Sequence, residues 1–93
     1  MNEPRHGVSA DDIRSALLAA LQPVSIEVQD DSHLHAGHAG AREGRHFSVA
    51  ICSPRFAGVG RVGRHRLVYD AVAALMPQGI HALAIEARAP DER

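Results

Sequence analysis

Three of the chain's seven histidines fall in one short stretch, as His33-x-His35-x-x-His38. Neutral imidazole binds borderline metals and titrates near neutral pH, so this spacing in a glycine-flanked segment points to metal chemistry. Two nitrogens at i, i+2 or i, i+3 can approach one ion, whereas a closed structural zinc site needs four placed ligands. Cys52 is the sole source of thiolate. Such a chain cannot hold an iron–sulfur cluster alone, but it can complete one that a partner supplies. The competing reading is an exposed polar loop whose histidines bind nothing.

His81 is a separate candidate. It shares alternation parity with Leu83, Ile85 and Ala87, which include the predicted core-facing residues, yet it begins its strand beside the Gly79 turn. A histidine held there by packing, with its ring near the surface, suits a metal ligand. The alternative is a half-buried imidazole bonded to a backbone carbonyl. One loop histidine plus His81 would make a two-nitrogen site open to a partner.

Arg61, Arg64, His65 and Arg66 form a short basic stretch, and Gly60-Arg61-Val62-Gly63 is a G-x-x-G. In KH domains such a loop clamps a nucleic-acid backbone, because glycine lets phosphates approach the main chain. The alternative is the start of a helix with a solvated arginine face. The spacing of His65 from Val62 and Tyr69 favours partial burial over ligation. Cys52, on a strand face with His46 and Ser48, reads as a small buried hydrophobe. Asp30 and Asp31 are adjacent on a strand and so point to opposite faces, which argues against an acid–base pair. No spacing supports a Ser-His-Asp or Cys-His arrangement, and no enzyme is expected.

The elements that must position these groups follow from periodicity. Ser9, with Asp12 three residues on, is an approximate capping box for a helix to Leu21, and Ile13, Ala16, Leu17, Ala20 and Leu21 form its apolar stripe. Pro23 stops it. From Val24 the period becomes two: Val24, Ile26 and Val28 alternate with polar residues. A second strand runs from about Arg45 to Ser53, with Phe47, Val49 and Ile51 on one face. The intervening Asp31–Gly44 segment is long for a compact domain, as functional loops often are. A second helix is predicted from about Val62 to Met76, with Val62, Tyr69, Val72 and Met76 as its inner stripe, widened by Leu67, Val68, Ala71 and Leu75. The last strand, Ile80 to Ala87, is apolar on both faces and reads as well covered. The first two strands should pair antiparallel, and a right-handed crossover then sets the third parallel to the second.

Composition bounds the class. Ninety-three residues, 45% hydrophobic and 23% charged, fit one soluble domain, with a core over about residues 9–90 and short flexible termini. The formal net charge of −1 argues against strong non-specific nucleic-acid binding. The first residues hold no signal-like apolar run, and no stretch has the length to span a bilayer. A lone cysteine excludes an internal disulfide framework, so the expected setting is a reducing cytoplasm.

Taken together, the motifs resemble those of a BolA-like protein. Asp30-Asp31-Ser32-His33-Leu34-His35-Ala36-Gly37-His38-Ala39-Gly40 and His46-Phe47-Ser48-Val49 resemble its first half. Phe56-x-Gly58, Val62-x-Arg64-His65-Arg66-Leu67-Val68-Tyr69 and Gly79-Ile80-His81-Ala82-Leu83 resemble its second. The likeness covers about Ile13 to Pro90. It implies a single α+β domain of order α-β-β-α-α-β, a three-stranded mixed sheet with helices on one face, similar to class II KH domains.

The same resemblance implies an iron–sulfur trafficking and iron-homeostasis adaptor. Its partner would be a monothiol glutaredoxin, sharing a bridged [2Fe-2S] cluster to which the glutaredoxin cysteine and glutathione bring thiolates. By similarity His81 is the C-terminal ligand and His35 the best match for the loop ligand, with His33 and His38 as alternates. No cofactor is expected in the isolated chain, which would be a monomer or weak homodimer. A second reading is a KH-like nucleic-acid-binding transcriptional regulator contacting DNA through Arg61, Arg64, His65 and Arg66. A third is a zinc or copper buffer using only the loop histidines. Gly60 and Gly63 stand where similar sequences hold better helix formers; two interior glycines would cost on the order of 1 kcal/mol each.

Overall fold

A computed structural model describes residues 8–31 and 45–92. Their order is α1 (Ala10–Leu21), β1 (Ser25–Asp30), β2 (Arg45–Cys52), a 3-10 turn (Pro54–Phe56), α2 (Arg61–Ala71), a second 3-10 turn (Met76–Gln78) and β3 (Ile80–Arg88).

The capping box at the start of α1 is complete. The Ser9 hydroxyl accepts from the Asp12 N–H at 3.1 Å, and the Asp12 carboxylate accepts from the Ser9 N–H at 2.9 Å. Two of the helix's four orphan donors are thereby satisfied. Ile13, Leu17 and Leu21 are buried, but Ala20 is exposed, so the stripe is narrower than its spacing predicts. The chain leaves α1 through Gln22 in the left-handed region (φ 46°, ψ 57°), one residue before the proline.

The sheet order is β1-β2-β3, with β1 antiparallel and β2–β3 parallel as predicted. Phe47, Val49 and Ile51 point into a core completed by Ile13 and Leu17 from α1, Phe56, Val68 and Val72, and Leu83. The opposite face keeps Glu27, Gln29, Ala84 and Glu86 exposed. At the end of β2, Ser53 is fully buried, and its hydroxyl donates to the Leu21 carbonyl at 2.7 Å while accepting from the Arg55 N–H. One hydroxyl thus ties α1 to the sheet without leaving a buried polar atom unpaired.

Several predicted details are corrected. Val24 precedes β1 and is 65% exposed. The second helix ends at Ala71, and residues 72–75 turn instead of continuing to Met76. Val68 is its buried residue and Val72 is buried just beyond its end, flanked by half-buried Leu67, Ala71, Leu75 and Met76, whereas Val62 and Tyr69 of the expected inner stripe are 72% and 38% exposed. Gly60 is the N-cap of α2, outside the helix proper, so only Gly63 carries the helical glycine cost. A Cβ at Gly63 would lie 2.7 Å from the Val59 side chain, so that close approach requires glycine or a shift. Finally, β3 is an edge strand. The apolar residues on its outer face are the alanines Ala82 and Ala84, which need little cover, while Ile80 and Leu83 are buried in the core.

Candidate functional site

The pairing of β2 with β3 contains an irregularity at the candidate ligand. Arg45 pairs with Ile80, but the next residue, His46, pairs with Ala82. His81 is the extra residue of a β-bulge, a device that re-aims a side chain. Ile80 is therefore buried with the core, as is Leu83, while His81 between them is exposed. The simple alternation that grouped His81 with Leu83, Ile85 and Ala87 fails at that point.

The bulge sets His81 beside His46. Their ring centroids are 5.2 Å apart, with planes inclined by 36°. Hydrogen bonds cross all three strands at this end of the sheet. The Asp31 N–H donates to the His46 carbonyl at 2.8 Å, and the Arg45 N–H donates to the Gly79 carbonyl at 2.9 Å. Arg45 Nη1 donates to Asp30 Oδ2 at 3.1 Å, and the Ser48 hydroxyl donates to the Asp31 carboxylate. Gly79, with φ 150°, makes the turn that delivers Ile80 and His81 into the sheet. Both histidines are thus mounted on cross-linked backbone.

The sequence picked out His81 but treated His46 only as a face-mate of Ser48 and Cys52. The missing signal is the bulge, since alternation places the two rings on opposite faces. An apolar Ile80 directly after a glycine turn, followed by a histidine, is the trace it leaves in the sequence. His33, His35 and His38 lie outside the described residues. Among the described residues, no three His, Cys, Asp or Glu side chains converge as a metal-holding group.

The basic stretch sits at the other end of β3. Arg61 and Arg66 are exposed and His65 is half-buried, as its spacing predicts. Arg64 differs: its side chain is only 13% exposed. Its Nε donates to the Val59 carbonyl at 2.6 Å and Nη1 to the Ala87 carbonyl at 3.2 Å. Nη1 and Nη2 also grip the Glu92 carboxylate at 2.6 Å each, while the guanidinium lies 5.9 Å from the Phe56 ring centre. Glu92 Oε1 additionally accepts from the Ala89 N–H at 3.1 Å. Hydrogen bonding from Arg64, then from the Ala89 backbone, pulls the Glu92 carboxyl down to about 2, and the same contact raises Arg64. A cleft of about 360 Å³ borders this clamp, lined by Gly60, Arg61, Arg64, His65 and Glu86 among others. Of the four residues predicted to contact a nucleic acid or a partner, Arg64 has most of its donors engaged within the chain. Cys52 is buried and unpaired with any other cysteine.

Comparison with known proteins agrees with this architecture. The family model described as BolA-like protein matches residues 17–92. SufE-like protein 1 of Arabidopsis thaliana, chloroplastic/mitochondrial, is 44% identical over 86 residues, which is 86% of this chain and 23% of that protein. The DNA-binding transcriptional regulator BolA of Escherichia coli is 41% identical over 73 residues, 78% of this chain and 68% of that one. The chain therefore spans about a quarter of the first relative's length and two thirds of the second's. Among solved structures, the BolA domain of SufE1 from Arabidopsis thaliana superposes with a TM-score of 0.79 at 44% identity, covering 90% of this chain and 94% of that one. With a family model matched over residues 17–92 and this superposition at 44% identity, the chain belongs to the BolA-like protein family.

Proposed function

We propose that this protein is an iron–sulfur cluster adaptor that docks on a monothiol glutaredoxin and lends histidine nitrogen to a shared [2Fe-2S] cluster. The observation that carries this reading is His81, lifted out of the core-facing row by a bulge and exposed beside a second imidazole. A side chain kept only for packing would follow its buried neighbours Ile80 and Leu83. The cluster is cargo: the partner's cysteine and glutathione hold it through thiolates, and His81 replaces one ligand as it is shared. Histidine ligation on one iron raises the potential relative to all-thiolate coordination, which distinguishes the shared form from the partner's own. His35 is the loop histidine assigned to this role by resemblance.

The test is a titration of the protein into a glutathione-loaded monothiol glutaredoxin carrying [2Fe-2S], followed by visible absorption and circular dichroism. A new spectrum saturating at one-to-one and lost in His81→Ala is expected. An unchanged spectrum without co-elution would remove the adaptor reading.

A second reading, regulation through DNA, draws support from the name of the Escherichia coli relative and from exposed Arg61 and Arg66 beside Gly60 and Gly63 at the first turn of α2. Its signature would be affinity that falls steeply with salt.

A further inference from the structure

We propose that His46 and His81 together form a divalent-cation site, two nitrogens from adjacent strands, which takes Zn²⁺ or Cu²⁺ in the isolated chain. Two imidazoles sharing one ion at about 2.0–2.1 Å from each nitrogen, in tetrahedral arrangement, have ring centres roughly 5 Å apart. The observed separation is 5.2 Å. Zinc and copper are among the ions that imidazole nitrogen suits, with Cu²⁺ the tighter of the two on a given donor set.

Three features favour an ion over simple ring packing. Both ligands are borne on hydrogen-bonded strands rather than on a loop, so little ordering is needed when the ion arrives. His81 occupies a bulge, so its placement beside His46 departs from the regular pleat instead of following from it. His81 is also exposed, which leaves the remaining coordination positions to water or to an incoming partner. The nearby Asp31 carboxylate is held by Ser48 and completes no three-ligand group. Among the described residues the site is therefore open and two-coordinate, unlike a closed structural zinc site.

The inference deepens the adaptor reading by naming His46 as the strand-borne companion of His81, and it rests on that reading only for the biological cargo. Ion binding by the isolated protein stands or falls separately.

The full chain with His33→Ala, His35→Ala and His38→Ala is titrated with Zn²⁺ by calorimetry and with Cu²⁺ by paramagnetic broadening of imidazole resonances. One equivalent should bind, with broadening centred on His46 and His81. Adding His46→Phe retains a ring against His81 while removing the nitrogen. That change should weaken Zn²⁺ binding at least about tenfold, since even outer-shell partners of a metal ligand are worth that much. Far-UV circular dichroism checks that each variant is folded. Absence of binding in the loop-substituted chain, or unchanged affinity in folded His46→Phe, would overturn the site. The glutaredoxin titration is run in parallel on the unsubstituted chain. Ion binding without cluster sharing would leave this site standing and remove the adaptor reading; cluster sharing without ion binding would do the reverse.

Discussion

Among the described residues, the two ends of β3 carry two sets of nitrogen-rich side chains, roughly 20 Å apart at the rise of an extended strand. At the N-terminal end, His81 stands on a bulge, exposed, beside His46. At the C-terminal end, Arg64 binds two backbone carbonyls and a carboxylate of its own chain. In the sequence the second set combines three arginines with a G-x-x-G and offers a second, nucleic-acid reading beside the histidine one. Yet its middle arginine acts as a fastener, tying the start of α2 to the end of β3. Density of charge in a sequence does not measure charge available to a partner. Donors already engaged within the chain must be released before they can bind anything else.

The largest expected effect breaks the comparison directly. His81→Ala should abolish the new spectrum in the glutaredoxin titration, whereas Arg64→Ala should leave it and lower the melting temperature instead. If Arg64→Ala removed the spectrum while the protein stayed folded, the C-terminal end would be part of the docking surface.

That contrast also marks what the sequence discloses. The capping box at Ser9 and Asp12, the alternating faces of β2 and the antiparallel-then-parallel pairing were legible, because each follows from local chemistry or a regular period. The bulge at His81 was not. Alternation assumes an uninterrupted ladder, and one extra residue moves a side chain to the other face. The early end of α2 escaped for a similar reason: Val72, Leu75 and Met76 continue a helical spacing, yet they pack from a turn. The Arg64–Glu92 clamp joins residues 28 apart in sequence, so no local spacing could disclose it. His33, His35 and His38 remain sequence expectations, outside the described residues.

A second effect concerns the turn that delivers His81. Gly79 has φ 150° and ψ 1°, a region that side chains strain to enter. Gly79→Ala should cost about 1–3 kcal/mol in chemical denaturation. It should also perturb the His46 and His81 imidazole resonances more than those of His65. Equal perturbation of all three would mean that the turn does not position the pair.

A smaller effect sharpens the other end. If the DNA reading holds, replacing exposed Arg61 and Arg66 together by alanine should lower the slope of log affinity against log salt by about 2, near one per phosphate contact. Arg64→Ala should change the slope less than either single substitution. Fluorescence anisotropy with a labelled duplex at several salt concentrations measures this. A larger change from Arg64 would mean that Glu92 gives way to phosphate.

The smallest effect is the clamp's response to pH. The Glu92 carboxyl is held at about 2, below its ordinary 4.5, by Arg64 and the Ala89 N–H. A depressed carboxyl stabilises the folded state above its unfolded value, and that contribution is lost as pH falls through the folded value. The window is therefore about 4.5 down to about 2: the unfolded chain takes up the proton first, and the clamp loses its advantage progressively. The melting temperature of the wild-type protein should fall more steeply across that window than that of Glu92→Gln, which cannot titrate there. Because Glu92 is 42% exposed, solvent and salt screen the pair, and the difference between the two curves should shrink as ionic strength rises. Parallel curves at low salt would mean that the carboxylate adds nothing to the hold of Arg64 on the Val59 and Ala87 carbonyls. Arg64 would then be fixed by the backbone alone and Glu92 would be free to leave, making the C-terminal end of β3 more like its N-terminal end.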